Sequence, residues 1–321
     1  MSQFNQMYLD SRMTMWQRWR RFWKRTTGGE IGFLGFCLRW GVLLLFAVYF
    51  VVPLIWLILA PSKNAPQLLE LNPLAFGSLH RIWEAWQRII EYQDGEVLLW
   101  ASNSIQYALW ALVLSLAACI PAGYILAAAR FPGRRLLLWL TLITMLLPPS
   151  ALVLPLFMEL NLVHLINTKW AVILPSAFFP FGTYLTYIYY ASSLPPELLD
   201  AARVDGCSEL QVFWHIALPL AKPLLGLLAF INFTTNWNNF FGPYVLLNDD
   251  TLFNLPVGLQ QFVSATSAIR PGFNPSPGVY VGYQQAEAAL FGLIMIVPVA
   301  IVFLVAQRYV VGGAFTGSIK G

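Results

Sequence analysis

Six long apolar runs alternate with polar segments along the 321-residue chain. Runs of about 20 apolar residues have the length of membrane-spanning helices. They lie at about 40–60, 103–127, 136–158, 170–192, 224–247 and 286–307. Only 11% of the residues are charged, whereas soluble domains carry about 25%. The sequence therefore predicts an all-α membrane protein with six transmembrane helices.

Basic residues are unevenly divided between the two ends of these spans. Most of the 19 Lys and Arg residues lie in the N-terminal lead, the loop after the second span, segment 195–223 and the C-terminal tail. Because cytoplasmic loops are enriched in Lys and Arg, both termini and segment 195–223 are predicted to be cytoplasmic. The lead, residues 1–38, alternates aromatic and basic residues at Trp16–Arg25 and is predicted to be an amphipathic interfacial anchor. The six-span domain occupies residues 39–321.

The residues that could carry catalysis are scattered. The three cysteines and three histidines fall in different loops and spans, so no metal site is predicted. The sequence contains no G-x-x-x-x-G-K-[ST] phosphate loop, so the chain is not expected to hydrolyse ATP. We therefore predict that it is not an enzyme and has no catalytic residues.

Segment 195–223 is polar and helix-forming between two apolar spans. Pro196 suits the first turn of a helix, and Glu197 and Asp200 favour the positive end of its dipole. Gly206 is predicted to stop this helix in a left-handed turn. The capping-box spacing of Ser208 and Gln211 predicts a second helix through about Ile216, ended by Leu218-Pro219.

The first helix of this segment has a narrow face of small apolar side chains, formed by Leu198, Ala201 and Ala202. One interpretation is an amphipathic linker that rests on lipid. Larger side chains than two alanines would bury more apolar area against lipid, so the face favours close approach of another protein. The segment is therefore interpreted as a socket for a soluble partner.

The fifth span carries a stripe of neutral polar residues. Asn232, Thr235, Asn236 and Asn239 follow the i, i+3, i+4, i+7 spacing of one helix face. Uncharged amides and hydroxyls match a polyhydroxylated neutral solute, so the stripe could line a translocation path. Hydrogen bonding between helices, worth about 0.6 kcal/mol per pair, explains the stripe equally well.

Two segments on the predicted external side are longer than simple connections. The first, about 61–100, contains helical periodicity at Leu79–Tyr92 and is predicted to form a helix on the outer membrane surface. The second, about 248–285, is rich in Pro and Gly. It is either an external contact or a disordered insertion.

Segment 195–223 resembles the "EAA" loop in permease subunits of bacterial ABC importers. The loop pattern appears here as Asp200-Ala201-Ala202, Gly206 and Ile216-Ala217-Leu218-Pro219. The resemblance covers nearly the whole chain and points to carbohydrate importers, in particular to the MalG-like second permease of the binding-protein-dependent transport family. Further matching motifs are Asn167-Thr168, Trp237-Asn238-Asn239-Phe240, Leu255–Leu259, Gln307-Arg308-Tyr309 and Gly317–Gly321.

The resemblance implies the type I permease fold of ABC importers, in a multi-pass chain of the bacterial inner membrane that forms half of a sugar path. It implies four kinds of partner: a second permease, two ATP-binding subunits, an extracytoplasmic solute-binding protein and the sugar. ATP and Mg²⁺ would be bound by the ATPase subunits, and no cofactor by this chain. The residues implied in ATPase coupling are Glu197, Asp200, Ala201, Ala202, Asp205, Gly206, Leu218 and Pro219.

The chain departs from the family pattern at two places. Asp200 stands where the motif has Glu, and the segment between Phe262 and Gln284 is longer than usual. A secondary carrier or facilitator is the alternative function, and a structural assembly factor is a third. The near absence of charged residues inside the spans argues against an ion-coupled carrier. Co-purification with a phosphate-loop ATPase would separate the alternatives.

Overall fold

Helices make up nearly all of the chain that the structure describes. The structure is a computed structural model that describes residues 33–264 and 285–316, and these contain no strand. The all-α prediction is confirmed. In chain order the helices are α1 (Phe33–Leu59), α2 (Ala65–Glu70), α3 (Leu79–Ile90), α4 (Glu96–Ala128), α5 (Arg134–Leu146), α6 (Pro149–Leu162), α7 (Lys169–Ala177), α8 (Pro180–Ser193), α9 (Pro196–Val204), α10 (Glu209–Leu220), α11 (Lys222–Trp237), α12 (Phe241–Leu246), α13 (Leu255–Ser264) and α14 (Gln285–Thr316).

The chain divides into two compact units, residues 1–59 and 60–321. The described part of the first unit is α1, which is apolar enough to span a membrane. The predicted boundary between lead and spans, at residue 38, falls inside this helix. The interfacial anchor predicted at Trp16–Arg25 lies outside the described residues.

The number of spans depends on how bent helices are counted. Among the described residues, four helices are long and apolar enough to cross a membrane, and two bent pairs bring the total to six. Residues 169–193, which hold α7 and α8, count as one of the four. The third predicted span is sharply bent at Pro148-Pro149, where α5 and α6 meet at 106°.

The fifth span differs from its predicted bounds of about 224–247. α11 ends at Trp237, and the shorter α12 follows after a break. Pro243 lies in the first turn of α12, where its missing N–H is tolerated. The Asn239 side-chain oxygen accepts from the Gly242 N–H at 3.3 Å and so supports the new helix start. The apolar run therefore forms two helices.

α4 is the central helix of the second unit. It packs against α7, α8 and α11, and α11 in turn packs against α14. Gly123 of α4 faces Thr186 of α8 so closely that a Cβ there would lie 2.5 Å from the Thr186 Cβ. Small residues of this kind let membrane helices approach each other closely.

The first half of α4 fixes the segment that precedes α13. The side chains of Trp100, Asn103 and Tyr107 donate to the backbone carbonyls of Asp250, Thr251 and Leu252 at 2.7–2.8 Å. The first part of the long segment predicted at 248–285, up to residue 264, is thus held in place and contains α13. Residues 265–284 lie outside the described residues.

Candidate functional site

The polar segment 195–223 begins with the predicted helix and turn. α9 starts at Pro196 and ends at Val204. Gly206 has φ +82°, a left-handed conformation that side chains with a Cβ rarely adopt. The N–H of Cys207 donates to the carbonyl of Ala202 at 3.0 Å, which closes the end of α9. The predicted helix stop at Gly206 is confirmed.

α10 begins with the predicted capping box and continues further than predicted. The Ser208 side chain accepts from the Gln211 N–H, and the Gln211 side chain accepts from the Ser208 N–H. The helix then widens into a π turn at residues 213–217, where the Leu218 N–H donates to the Phe213 carbonyl. Pro219 has no N–H to donate, and the widened turn lets the helix pass through it to Leu220. The predicted end at Leu218-Pro219 is therefore corrected to Leu220.

The predicted face of small residues is only partly buried. Ala202 is buried together with Leu199 against Val212 of α10. Leu198 and Ala201, which lie within one turn of Ala202, are exposed, and Val204, one turn after Ala201, is 87% exposed. Ala202 therefore packs between α9 and α10. Leu198, Ala201 and Val204 form the exposed apolar surface of α9.

Arg203 ties α9 to α10. Its guanidinium donates to Asp200 at 3.0 Å and to Glu209 at 2.8 Å. The hydrogen bond that Arg203 donates to Glu209, followed by the negative charge of Glu209, raises the pKa of Arg203 above its ordinary value, with a smaller contribution from Asp200. Glu197 and Asp205 are exposed at the two ends of α9. Arg203 thus links the two helices through polar contacts, while the apolar residues Leu198, Ala201 and Val204 remain exposed.

Two tyrosines of α8 hold the end of α10. The Tyr190 hydroxyl donates to the Ala217 carbonyl at 3.2 Å, and the Tyr189 hydroxyl donates to the Leu220 carbonyl at 2.8 Å. Both carbonyls lie in or after the π turn, next to Leu218 and Pro219. These bonds connect segment 195–223 directly to the preceding apolar helix.

Two members of the polar stripe on α11 lie inside the protein. Asn232 is 2% exposed and donates to the Ser115 hydroxyl of α4 at 3.0 Å. Asn236 is also buried and donates to the side-chain and backbone oxygens of Asn232 at 3.0 Å. The two asparagines therefore connect α11 to α4 within this chain.

The other two members of the stripe have different surroundings. Thr235 is exposed, and its hydroxyl donates to the Ile231 carbonyl at 2.8 Å. Asn239 is half-buried at the break after α11, where its carbonyl accepts from the Asn254 side chain at 2.7 Å. The four predicted path residues thus do not share one environment.

Sequence reasoning missed two of the residues that organise these regions. Arg203 could have been found from its spacing, because an Asp three residues earlier on a helix is a common ion-pair arrangement. Ser115 stands out only as a polar residue in an apolar run, and its position opposite Asn232 is a tertiary feature. In the described ranges, no three His, Cys, Asp or Glu residues come together as a metal site.

The chain matches a known protein family over most of the region just described. The family is described as "Binding-protein-dependent transport system inner membrane component", and it matches residues 119–314. This range includes the last ten residues of α4, the whole of segment 195–223 and both helices of the broken fifth span.

Several transport proteins are similar in sequence to this chain over most of its length. The arabinooligosaccharides transport system permease protein AraQ of Bacillus subtilis is 31% identical over 87% of this chain and 93% of its own length. The protein of the same name in Halalkalibacterium halodurans is 36% identical over 69% of this chain and 74% of its own. The diacetylchitobiose uptake system permease protein NgcG of Streptomyces coelicolor is 28% identical over 87% of both chains.

A solved structure has the same fold. It is the crystal structure of a bacterial ABC transporter involved in the import of the acidic polysaccharide alginate, with a TM-score of 0.71 and 24% identity. The likeness covers 85% of this chain and 96% of that chain. The predicted permease fold is thereby confirmed.

Proposed function

The chain belongs to the family of binding-protein-dependent transport system inner membrane components, and we propose that it is a permease subunit of a bacterial ABC importer for a sugar. It would form half of the translocation path in the inner membrane, with both termini in the cytoplasm. The names of the similar proteins support an oligosaccharide as the solute. Its partners would be a second permease, two ATP-binding subunits and a solute-binding protein.

The observation that carries this proposal is the form of segment 195–223. α9 and α10 are cross-linked through Arg203 and present an open apolar surface at Leu198, Ala201 and Val204. A rigid unit with an open face suits a soluble subunit that pushes on it. The chain has no phosphate loop of its own, so the energy for transport would be delivered through this contact.

The eight proposed coupling residues would have different tasks. Ala201 contacts the ATPase, Ala202 holds α9 on α10, and Gly206 sets the angle between the helices. Glu197, Asp200 and Asp205 supply charge around the contact, with Asp200 also positioning Arg203. Leu218 and Pro219 lie beside the carbonyls that Tyr189 and Tyr190 hold, so they would carry motion from α10 to α8.

The stripe on α11 contributes to the proposed path unequally. Thr235 is exposed and can meet a sugar hydroxyl directly. Asn232 and Asn236 would act mainly by holding α11 on α4, since their side chains donate hydrogen bonds to Ser115 and Asn232 within the chain. Asn239 would support the break at which the path-facing helix ends.

The proposal is tested by tagging the chain in its native host and isolating it in mild detergent. A phosphate-loop ATPase, a second permease and sugar-stimulated ATP hydrolysis after reconstitution are expected. Reconstituted vesicles should transport sugar when ATP is supplied on the side of the membrane that carries the ATPase subunits. The solute-binding protein must be supplied on the opposite side. Accumulation driven by a proton or sodium gradient without any ATPase would instead establish a secondary carrier.

A further inference from the structure

A cleft of about 930 Å³ separates the end of α4 from α9 and α10. Its lining includes the apolar side chains of Ile125 and Phe213 and four charged side chains, those of Arg130, Asp200, Arg203 and Glu209. Trp214, which is 55% exposed, borders the opening. The outward residues Leu198, Ala201 and Val204 are not part of its wall. The cleft is therefore distinct from that apolar surface, although its lining shares Asp200 with the proposed coupling residues.

In the part of the chain that the structure describes, this cleft holds one buried hydroxyl without a hydrogen-bond partner and one exposed arginine without an ion pair. Tyr124 is 5% exposed, and its buried hydroxyl has no hydrogen-bond partner among the described residues. Arg203 is neutralised by Asp200 and Glu209, but Arg130 forms no ion pair with any residue that the structure describes. Leaving a buried hydroxyl without a hydrogen-bond partner is unfavourable. An anion in the cleft would satisfy the hydroxyl and balance the charge of Arg130.

An apolar groove continues from the same place along α4. It has a volume of about 360 Å³, and Ile125 lines both the cleft and the groove. Leu137 and Leu140 of α5 and Phe178 form much of its wall. An anionic group at Arg130 and an apolar chain past Ile125 are the two parts of a phospholipid. Tryptophan at the opening is the residue type that membranes favour at the headgroup level.

We propose that the cleft binds an anionic phospholipid of the leaflet at this end of α4. The headgroup phosphate accepts hydrogen bonds from Arg130 and from the Tyr124 hydroxyl. One acyl chain passes Ile125 into the groove between α4 and α5. The bound lipid fills the space between the membrane helix and the α9–α10 unit, so it supports the position of that unit.

The experiment uses the full chain, purified with the subunits that accompany it, and native mass spectrometry. Phosphatidylglycerol and phosphatidylcholine of equal chain length are titrated in parallel. Arg130→Gln should weaken phosphatidylglycerol retention about fivefold, the effect of one basic residue on anionic lipid. Tyr124→Phe should weaken it roughly threefold, the size of one hydrogen bond. Arg135→Gln, an exposed arginine outside the cleft, is the matched control and should change retention little.

Several results would overturn the proposal. Equal losses in the Arg130 and Arg135 variants would mean that only general surface charge attracts the lipid. Displacement by soluble glycerol 3-phosphate at similar concentration would mean a free-anion site without a role for the acyl chain. A photoactivatable residue at Leu210 should add the mass of a lipid, whereas a crosslink to a polypeptide would identify a protein occupant. Thermal unfolding of each variant shows that the losses occur in folded protein.

Discussion

At the residue scale, the angle between α9 and α10 depends on the backbone of Gly206. Its φ of +82° is unfavourable for a β-branched side chain, although a Cβ would meet no atom within 4 Å. We expect Gly206→Val to strain the turn by about 1 kcal/mol or more. The chain should still insert, but sugar-stimulated ATP hydrolysis by the reconstituted importer should fall severalfold, because the α9 surface is turned away.

Gly133 offers a matched control for this substitution. It also has a positive φ, +89°, and equally open space around its Cβ position, but it precedes α5. Gly133→Val should therefore impose similar strain and leave coupling nearly unchanged. Normal ATPase binding and transport in the Gly206 variant would refute the coupling role of the turn. Equal losses in both variants would point to strain in general.

The buried and exposed members of the α11 stripe should respond differently to mutation. Asn232→Leu removes the amide that donates to Ser115 and the oxygen that accepts from Asn236. The free energy of unfolding should therefore fall by about 1–3 kcal/mol, with a lower melting temperature. Thr235→Val keeps the shape and loses only an exposed hydroxyl. It should leave stability unchanged and weaken sugar uptake severalfold.

The two measurements are the melting temperature in detergent and the uptake of an oligosaccharide panel at matched membrane levels. Asn236→Leu is expected to follow Asn232→Leu, because the two amides share one hydrogen-bonded pair. Unchanged affinity and preference in the Thr235 variant would remove it from the proposed path.

At the scale of elements, one buried carboxylate links α14 to two arginines of α3. Glu287 of α14 is fully buried and contacts Arg81 and Arg88 of α3. Glu287→Gln removes the charge that both arginines contact, and we expect a loss of about 3 kcal/mol or more. Glu84→Gln, at a partly exposed pair on α3, should cost less than about 1 kcal/mol. Chemical unfolding in detergent measures both, and equal costs would contradict a central role for Glu287.

The helices themselves follow closely from local sequence signals. Pro196, Gly206 and the Ser208–Gln211 pair specify the starts and stops of α9 and α10 through backbone geometry that each residue imposes on its neighbours. Pro148 likewise marks the sharp bend between α5 and α6. Local chemistry of this kind can be read without knowing what lies across the fold.

The contacts between helices could not be predicted in the same way. The periodicity placed Ala202 beside Ala201, but only the position of Val212 on α10 makes Ala202 the buried one. Asn232 bonds to Ser115, which lies more than one hundred residues earlier, so helical spacing alone could not separate it from Thr235. Likewise, the hydrogen bonds that Tyr189 and Tyr190 donate to carbonyls at the end of α10 join two helices, so spacing along the chain does not reveal them.

At the scale of the whole molecule, the apolar helices carry little charge. Residues 97–129, 170–196 and 223–248 contain no Asp, Glu, Lys or Arg, and the uncharged polar side chains Thr235 and Asn238 are exposed on and just after α11. A charged solute would have to leave water without a fixed counter-charge on these helices, which is costly in a low-dielectric environment. A neutral sugar needs only hydroxyl and amide partners.

We therefore expect the importer to transport neutral oligosaccharides and to discriminate against uronate oligosaccharides of equal length by at least tenfold. The contrast is informative because the solved structure of similar fold belongs to a transporter for acidic alginate, at only 24% identity. Uptake by reconstituted vesicles, with the solute-binding protein in excess, measures both classes at equal concentration. A Thr235→Lys variant should lower neutral-sugar uptake, since it places a charge on the exposed face of α11. Preferential uptake of the uronates by the unmodified importer would show that counter-charges from the second permease, and not the neutrality of this chain, decide which solutes cross.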